Sequence, residues 1–165
     1  MPPLGPGISI DGVTESVAQW LRDSHSLTVH SRYTLDLSEA MPAVWKPAVI
    51  GVTLVAGTPG HPPDWVIEAV GDLNNAPHYQ VHFSGALYTL LTRTRPDDRT
   101  KERRLALALP FHPEGKVPSP YRPVLKRLHG TRFLDAGLEL LLVAPNSQVT
   151  HQAGDDLERF LANLE

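Results

Sequence analysis

The chain has 165 residues, 41% hydrophobic and 20% charged, with a net charge of −3 and no cysteine. Such a length suits one domain that buries its core without staples, and the absence of thiols excludes disulfides, cysteine-ligated zinc, iron–sulfur clusters and thiol catalysis. No uncharged apolar run is long enough to span a bilayer, and MPPLGPGISIDG lacks the basic-then-apolar pattern of a secretory signal, so the expectation is a cytoplasmic protein with no membrane partner.

Residues 1–7 read as a flexible Pro/Gly leader and residues 8–165 as a single domain. Asp11 is placed to cap a helix whose Val13, Val17, Trp20 and Leu21 form one apolar stripe. LTVHSRYTLDL then alternates, with Leu27, Val29, Tyr33, Leu35 and Leu37 on one face and Thr28, His30, Arg32, Thr34 and Asp36 on the other, as in a strand with one wet side. AVIGVTLVA and DWVIEAV flank the turn chemistry of GTPGHPP and read as a hairpin.

Asn75 and Pro77 open a second helix carrying Phe83, Leu87, Leu90 and Leu91 at helical spacing. RRLALALP and LELLLVAP are apolar runs closed by proline, and between them Tyr121, Val124, Leu125 and Leu128 recur at helical spacing, with Pro123 blurring where that helix starts. Strand, helix, strand with both strands apolar is the pattern of a parallel βαβ unit covered on both faces. A last helix has Leu157, Phe160, Leu161 and Leu164 on one side, after Asp155 and Asp156 in capping position. The fold class expected is therefore α/β, a mixed central sheet made of an antiparallel hairpin plus a parallel βαβ unit, flanked by helices.

Charge is uneven. Residues 93–132 hold 11 of the 15 Lys and Arg but only 4 of the 18 acids, a local charge of +7 against −10 for the rest. Arg99, Lys101, Arg103, Arg104, Arg122, Lys126 and Arg127 are the candidate contacts to phosphates, with Lys116 and Arg132 adding to the field. A charged, solvated connection is the competing reading of RTRPDDRTKERR.

The order of elements, with KPAVIGV, VIEAVG, FSGALYTLL, RLALALP and GLELLLVAP in sequence, resembles the PD-(D/E)xK superfamily, the restriction-endonuclease-like fold. The resemblance implies two strand carboxylates that hold Mg²⁺ or Mn²⁺ beside the scissile phosphate, and a lysine that positions the attacking water. Here Pro47 is followed by Ala48 where the family has Asp, Glu68 matches the family acid, and Val70 stands where the family has Lys. One catalytic position of three survives. Asp64, Asp72 and Lys46 are the nearby side chains available as replacements, although an extended strand would set Asp64 about 13 Å from Glu68. Outside catalysis, Glu68 reads as a strand carboxylate satisfied by a helix N-terminus or an arginine.

His78 and His82 are spaced for zinc, with His61 or Asp72 as a third ligand, but lack the neighbouring Glu of a metalloprotease helix, and a solvated pair is the plainer reading. GTPGHPPD lacks G-K-[ST], and its prolines remove the N–H donors a nucleotide loop needs. The leading function is then a nuclease-fold protein, catalytically degenerate, that binds nucleic acid, DNA foremost, through residues 93–132 and needs no cofactor. Two alternatives stay open: a protein-interaction or homodimerisation module on the same fold, and an active Mg²⁺- or Mn²⁺-dependent nuclease with migrated residues.

Overall fold

A computed structural model describes residues 8–36, 49–58, 64–71, 86, 90, 104–111, 117, 121–129 and 137–164. Among them the elements run α1 (Ile10–His25), β1 (Thr28–Asp36), β2 (Val49–Gly57), β3 (Trp65–Ala69), β4 (Arg104–Pro110), α2 (Arg122–Leu128), β5 (Leu138–Val143), β6 (Val149–Gln152) and α3 (Gly154–Ala162). The six strands form one sheet in chain order. β1, β2 and β3 pair antiparallel, β3, β4 and β5 pair parallel, and β6 returns antiparallel on β5. The mixed α/β sheet expected from the sequence is present, hairpin and parallel unit included.

Alternation decides which layer each strand residue joins. On one face Leu54, Trp65, Ile67, Ala106, Ala108, Leu141 and Val143 pack with Val13, Val17 and Leu21 of α1. On the other, Val66, Val70, Leu105, Leu107, Leu109, Leu140 and Leu142 pack with Tyr121, Leu125 and Leu128 around α2 and with Leu157 and Leu161 of α3. Ala86 and Leu90, both helical, join this second core. The strand RLALALP is thus sorted by size: its alanines face α1 and its leucines face α2 and α3.

Several details depart from the sequence expectations. Ser9 caps α1, its Oγ accepting from the Gly12 N–H at 3.1 Å, while Asp11 lies in the first turn and pairs with Arg32. A register shift between Val29 and Ser31 puts Arg32 opposite Leu54, on the α1 side, where unbroken alternation would send it to the other face. β6 was not expected from the sequence. The hairpin that creates it closes with Ser147 N–H donating to Ala144 O and Ala144 N–H donating to Gln148 O, both at 2.9 Å, and Ser147 takes a left-handed φ of 69°. α2 tolerates Pro123 because its second position leaves no N–H bond to lose. Asp155 and Asp156 sit in the first turn of α3, after Ala153 as the capping residue.

The layers meet tightly at Gly71, just past β3. Its carbonyl accepts from the buried Tyr121 hydroxyl at 2.6 Å, which ties α2 to the sheet. On the opposite side the backbone of Ser9 and Ile10 presses against it so closely that an added Cβ would lie 2.8 Å from Ile10 Cα.

Candidate functional site

Glu68 sits on β3 between Thr53 of β2 and Leu107 of β4. It is 3% exposed, and its carboxylate accepts from the Thr53 hydroxyl. Alternation gives it the face of Val66 and Val70, the face covered by α2 and α3. Val70, 1% exposed, is part of that core, and its N–H donates to Ala108 O at 3.0 Å. Asp64 is exposed at the entry to β3, where its backbone bridges Ala56 O and Arg104 N–H. It does not join Glu68 in a ligand set, and among the described residues no group of three His, Asp or Glu side chains is placed to hold a metal ion.

The metal implied by the family resemblance therefore has poor support at these positions. Among the described residues of the motif, Val70 carries no donor and Glu68 is buried with a hydroxyl partner, so these two do not by themselves fit a divalent cation. Lys46, Ala48, His61, Asp72, His78, His82, Arg99, Lys101 and Arg103 lie outside the described residues.

Four of the basic candidates are described, and they have different surroundings. Arg104 starts β4 opposite Trp65, with its guanidinium 4.0 Å above the indole ring. It grips Glu139 of β5 with both arms, Nε to Oε2 at 2.9 Å and Nη2 to Oε1 at 2.5 Å. Arg122 donates from Nε to the Val117 carbonyl at 3.0 Å. Lys126 and Arg127 are exposed in the last turn of α2, a helix with no acidic residue in its Arg122–Leu128 sequence. Cations there are favoured by the carbonyl end of the helix.

A second, densely connected polar group lies at the end of the sheet where β3, β4 and β5 begin. Glu139, with 9% of its side chain exposed, accepts from Arg104 and from His151 of β6, whose Nε2 lies 2.8 Å from Oε1. An ionised carboxylate only accepts, so the His151 proton sits on Nε2. Trp20 and His25 of α1 complete the cluster edge-on. Their ring centroids are 4.7 Å apart, and Trp65 lies 5.8 Å from Trp20 and 5.6 Å from His25. His151 stands 5.5 Å from Trp20.

Two of these groups titrate away from their ordinary values. Burial works against ionisation of Glu139, but hydrogen bonds from His151 and Arg104, with the Arg104 charge, outweigh it and hold the carboxyl below the usual range. For His25, burial first and then the charges of Arg104 and His151 push the ring below the ordinary histidine value, with Glu139 pulling the other way. Sequence reasoning passed over this cluster. The available signal was Glu139 itself, a lone acid inside LELLLV, because a buried strand keeps a charge only where partners meet it.

Comparison with protein-family models, curated proteins and solved structures finds no match to this chain. No helix among the described residues is long and apolar enough to cross a membrane.

Proposed function

We propose that the chain is a binding domain on a restriction-endonuclease-like scaffold that has lost cleavage, and that its ligand is the phosphate backbone of nucleic acid, DNA foremost. The observation that carries this reading is the state of Glu68. The carboxylate that would hold a metal in a working nuclease is buried, accepts from Thr53, and shares its face with Val70 where a lysine would be needed. The strand order supports the scaffold, with an antiparallel hairpin leading into parallel β3, β4 and β5.

Support for the phosphate ligand comes from the excess of cations in residues 93–132 and from exposed Lys126 and Arg127 on the acid-free crossover helix. Arg104 has little part in this reading, because its guanidinium is occupied by Glu139 and Trp65. Reversing both exposed charges, Lys126→Glu with Arg127→Glu, is expected to weaken binding to labelled duplex DNA by tenfold or more near 100 mM salt, and to reduce the slope of log affinity against log salt by about 2. An unchanged affinity and slope in a variant of unchanged stability would overturn the assignment to α2.

A further inference from the structure

The cluster at the start of the parallel strands is unused by the phosphate-binding reading and stands independently of it. We propose that His25, packed edge-on against Trp20 and Trp65 beside the Arg104–Glu139–His151 group, is a proton-operated latch that holds the C-terminal half of α1 on the sheet at neutral pH and releases it on acidification.

The geometry supplies the parts. Every sheet element under this end of α1 except the hairpin strands β1 and β2 sends one group to the seam: Trp65 from β3, Arg104 from β4, Glu139 from β5 and His151 from β6. From α1 itself come Trp20 and His25, while Arg22 in the same last turn is exposed and donates to Gln19. Among the described residues a single carboxylate serves the whole group. Its Oε2 is taken by Arg104 and its Oε1 by Arg104 and His151 together. The face of Trp65 that would accept a cation is already covered by the guanidinium of Arg104.

A proton on His25 therefore arrives half-buried, beside Arg104 and His151, with the carboxylate of the seam already committed. The helix C-terminus favours a cation at that place, but burial, and after it the guanidinium of Arg104, oppose it more strongly, and the ring is pushed below the ordinary histidine value. Linkage then gives the direction of the pH effect. A histidine whose folded value lies below its unfolded 6.5 adds nothing while both states are neutral, and destabilises the closed seam as the pH falls from about 6.5 through the lower folded value. Opening the seam restores the ring to water. Glu139 acts the same way in a separate window below its ordinary 4.5, where losing its charge frees Arg104 and His151 from their partner. Protonation thus loosens one edge of one helix, leaving the strands beneath to the apolar cores.

Hydrogen exchange read by peptide tests this between pH 7.5 and pH 5, with protection corrected for the intrinsic pH dependence of exchange. The expected result is at least a tenfold loss of protection in the C-terminal half of α1 while β4 and β5 keep theirs. In His25→Phe, which keeps a ring and removes the charge, α1 protection should stay constant over the same range. The latch is overturned if α1 in the native chain keeps its protection, if His25→Phe loses it equally, or if β4 and β5 open together with α1. Should His25→Phe fail to fold, histidine NMR titration of the native chain decides: His25 titrating below the ordinary value with α1 amide shifts moving in step supports the latch, and an ordinary titration with those amides unmoved overturns it.

Discussion

Gly71→Ala is expected to lower the unfolding free energy by about 3 kcal/mol, at the upper end of the usual cost of overpacking a rigid site. The added Cβ would lie 2.8 Å from Ile10 Cα and 2.9 Å from the Ser9 carbonyl carbon, backbone atoms with no rotamer to turn aside. Moving away is costly on both sides. Retreat of α1 lifts Val13, Val17 and Leu21 from their core, and retreat of Gly71 strains the hydrogen bond its carbonyl receives from Tyr121. Urea denaturation of the purified variant measures the difference. A loss below about 1 kcal/mol would mean that the start of α1 is docked far more loosely than the structure has it.

The second large effect is expected at Glu139. Glu139→Gln keeps the shape but leaves Arg104 and His151 facing a neutral amide. Breaking a buried ion pair costs roughly 3–5 kcal/mol, and the 40% exposure of the Arg104 side chain reduces that to about 2 kcal/mol at pH 7. The pH dependence gives a sharper signature. The folded carboxyl titrates below the unfolded one, so its contribution is complete above about 4.5 and disappears as the pH falls through the lower folded value. The native chain and the Glu139→Gln variant should therefore differ at pH 7 and converge in acid. Equal stability at pH 7, or an undiminished difference in acid, would show that the carboxylate is not ionised and bonded as described.

These two positions also mark the limit of what the sequence made legible. Stripes of period 3.6 exposed α1 and α3, alternation exposed β1, and nearly continuous apolar runs exposed the hairpin strands, β4 and β5, because each has apolar surface that a core must cover. Gly71 carried no such signal, since a close approach of two backbones far apart in sequence leaves only a glycine behind. β6, at four residues with intermediate or exposed side chains, was too short to show a period, and only the left-handed Ser147 turn makes it a strand. The face of Arg32 was misread because a register shift near His30 is invisible to alternation.

The candidate site divides in the same way. Glu68, Ala48 and Val70 could be singled out only through the family resemblance, and the burial of Glu68 and Val70 fits positions given over to packing. The cluster of His25, Arg104, Glu139 and His151 could not, because its members lie on four elements, and it takes the parallel pairing of β4 with β5, the antiparallel pairing of β5 with β6 and the packing of α1 over them to bring the four together. Arg104 shows the consequence. Counted with the basic segment by sequence, it is held in the fold by Glu139 and Trp65.

The most direct test of the proposed function is the affinity for labelled duplex DNA over a salt series, measured in EDTA and repeated with Mn²⁺, with the DNA recovered and sized after each titration. A domain that binds phosphates without catalysis should give a Kd that rises steeply with salt, the same values with and without Mn²⁺ apart from the ion's own screening, and DNA of unchanged length. Mn²⁺-dependent cleavage that Glu68→Gln abolishes, or no binding at low salt, would contradict it.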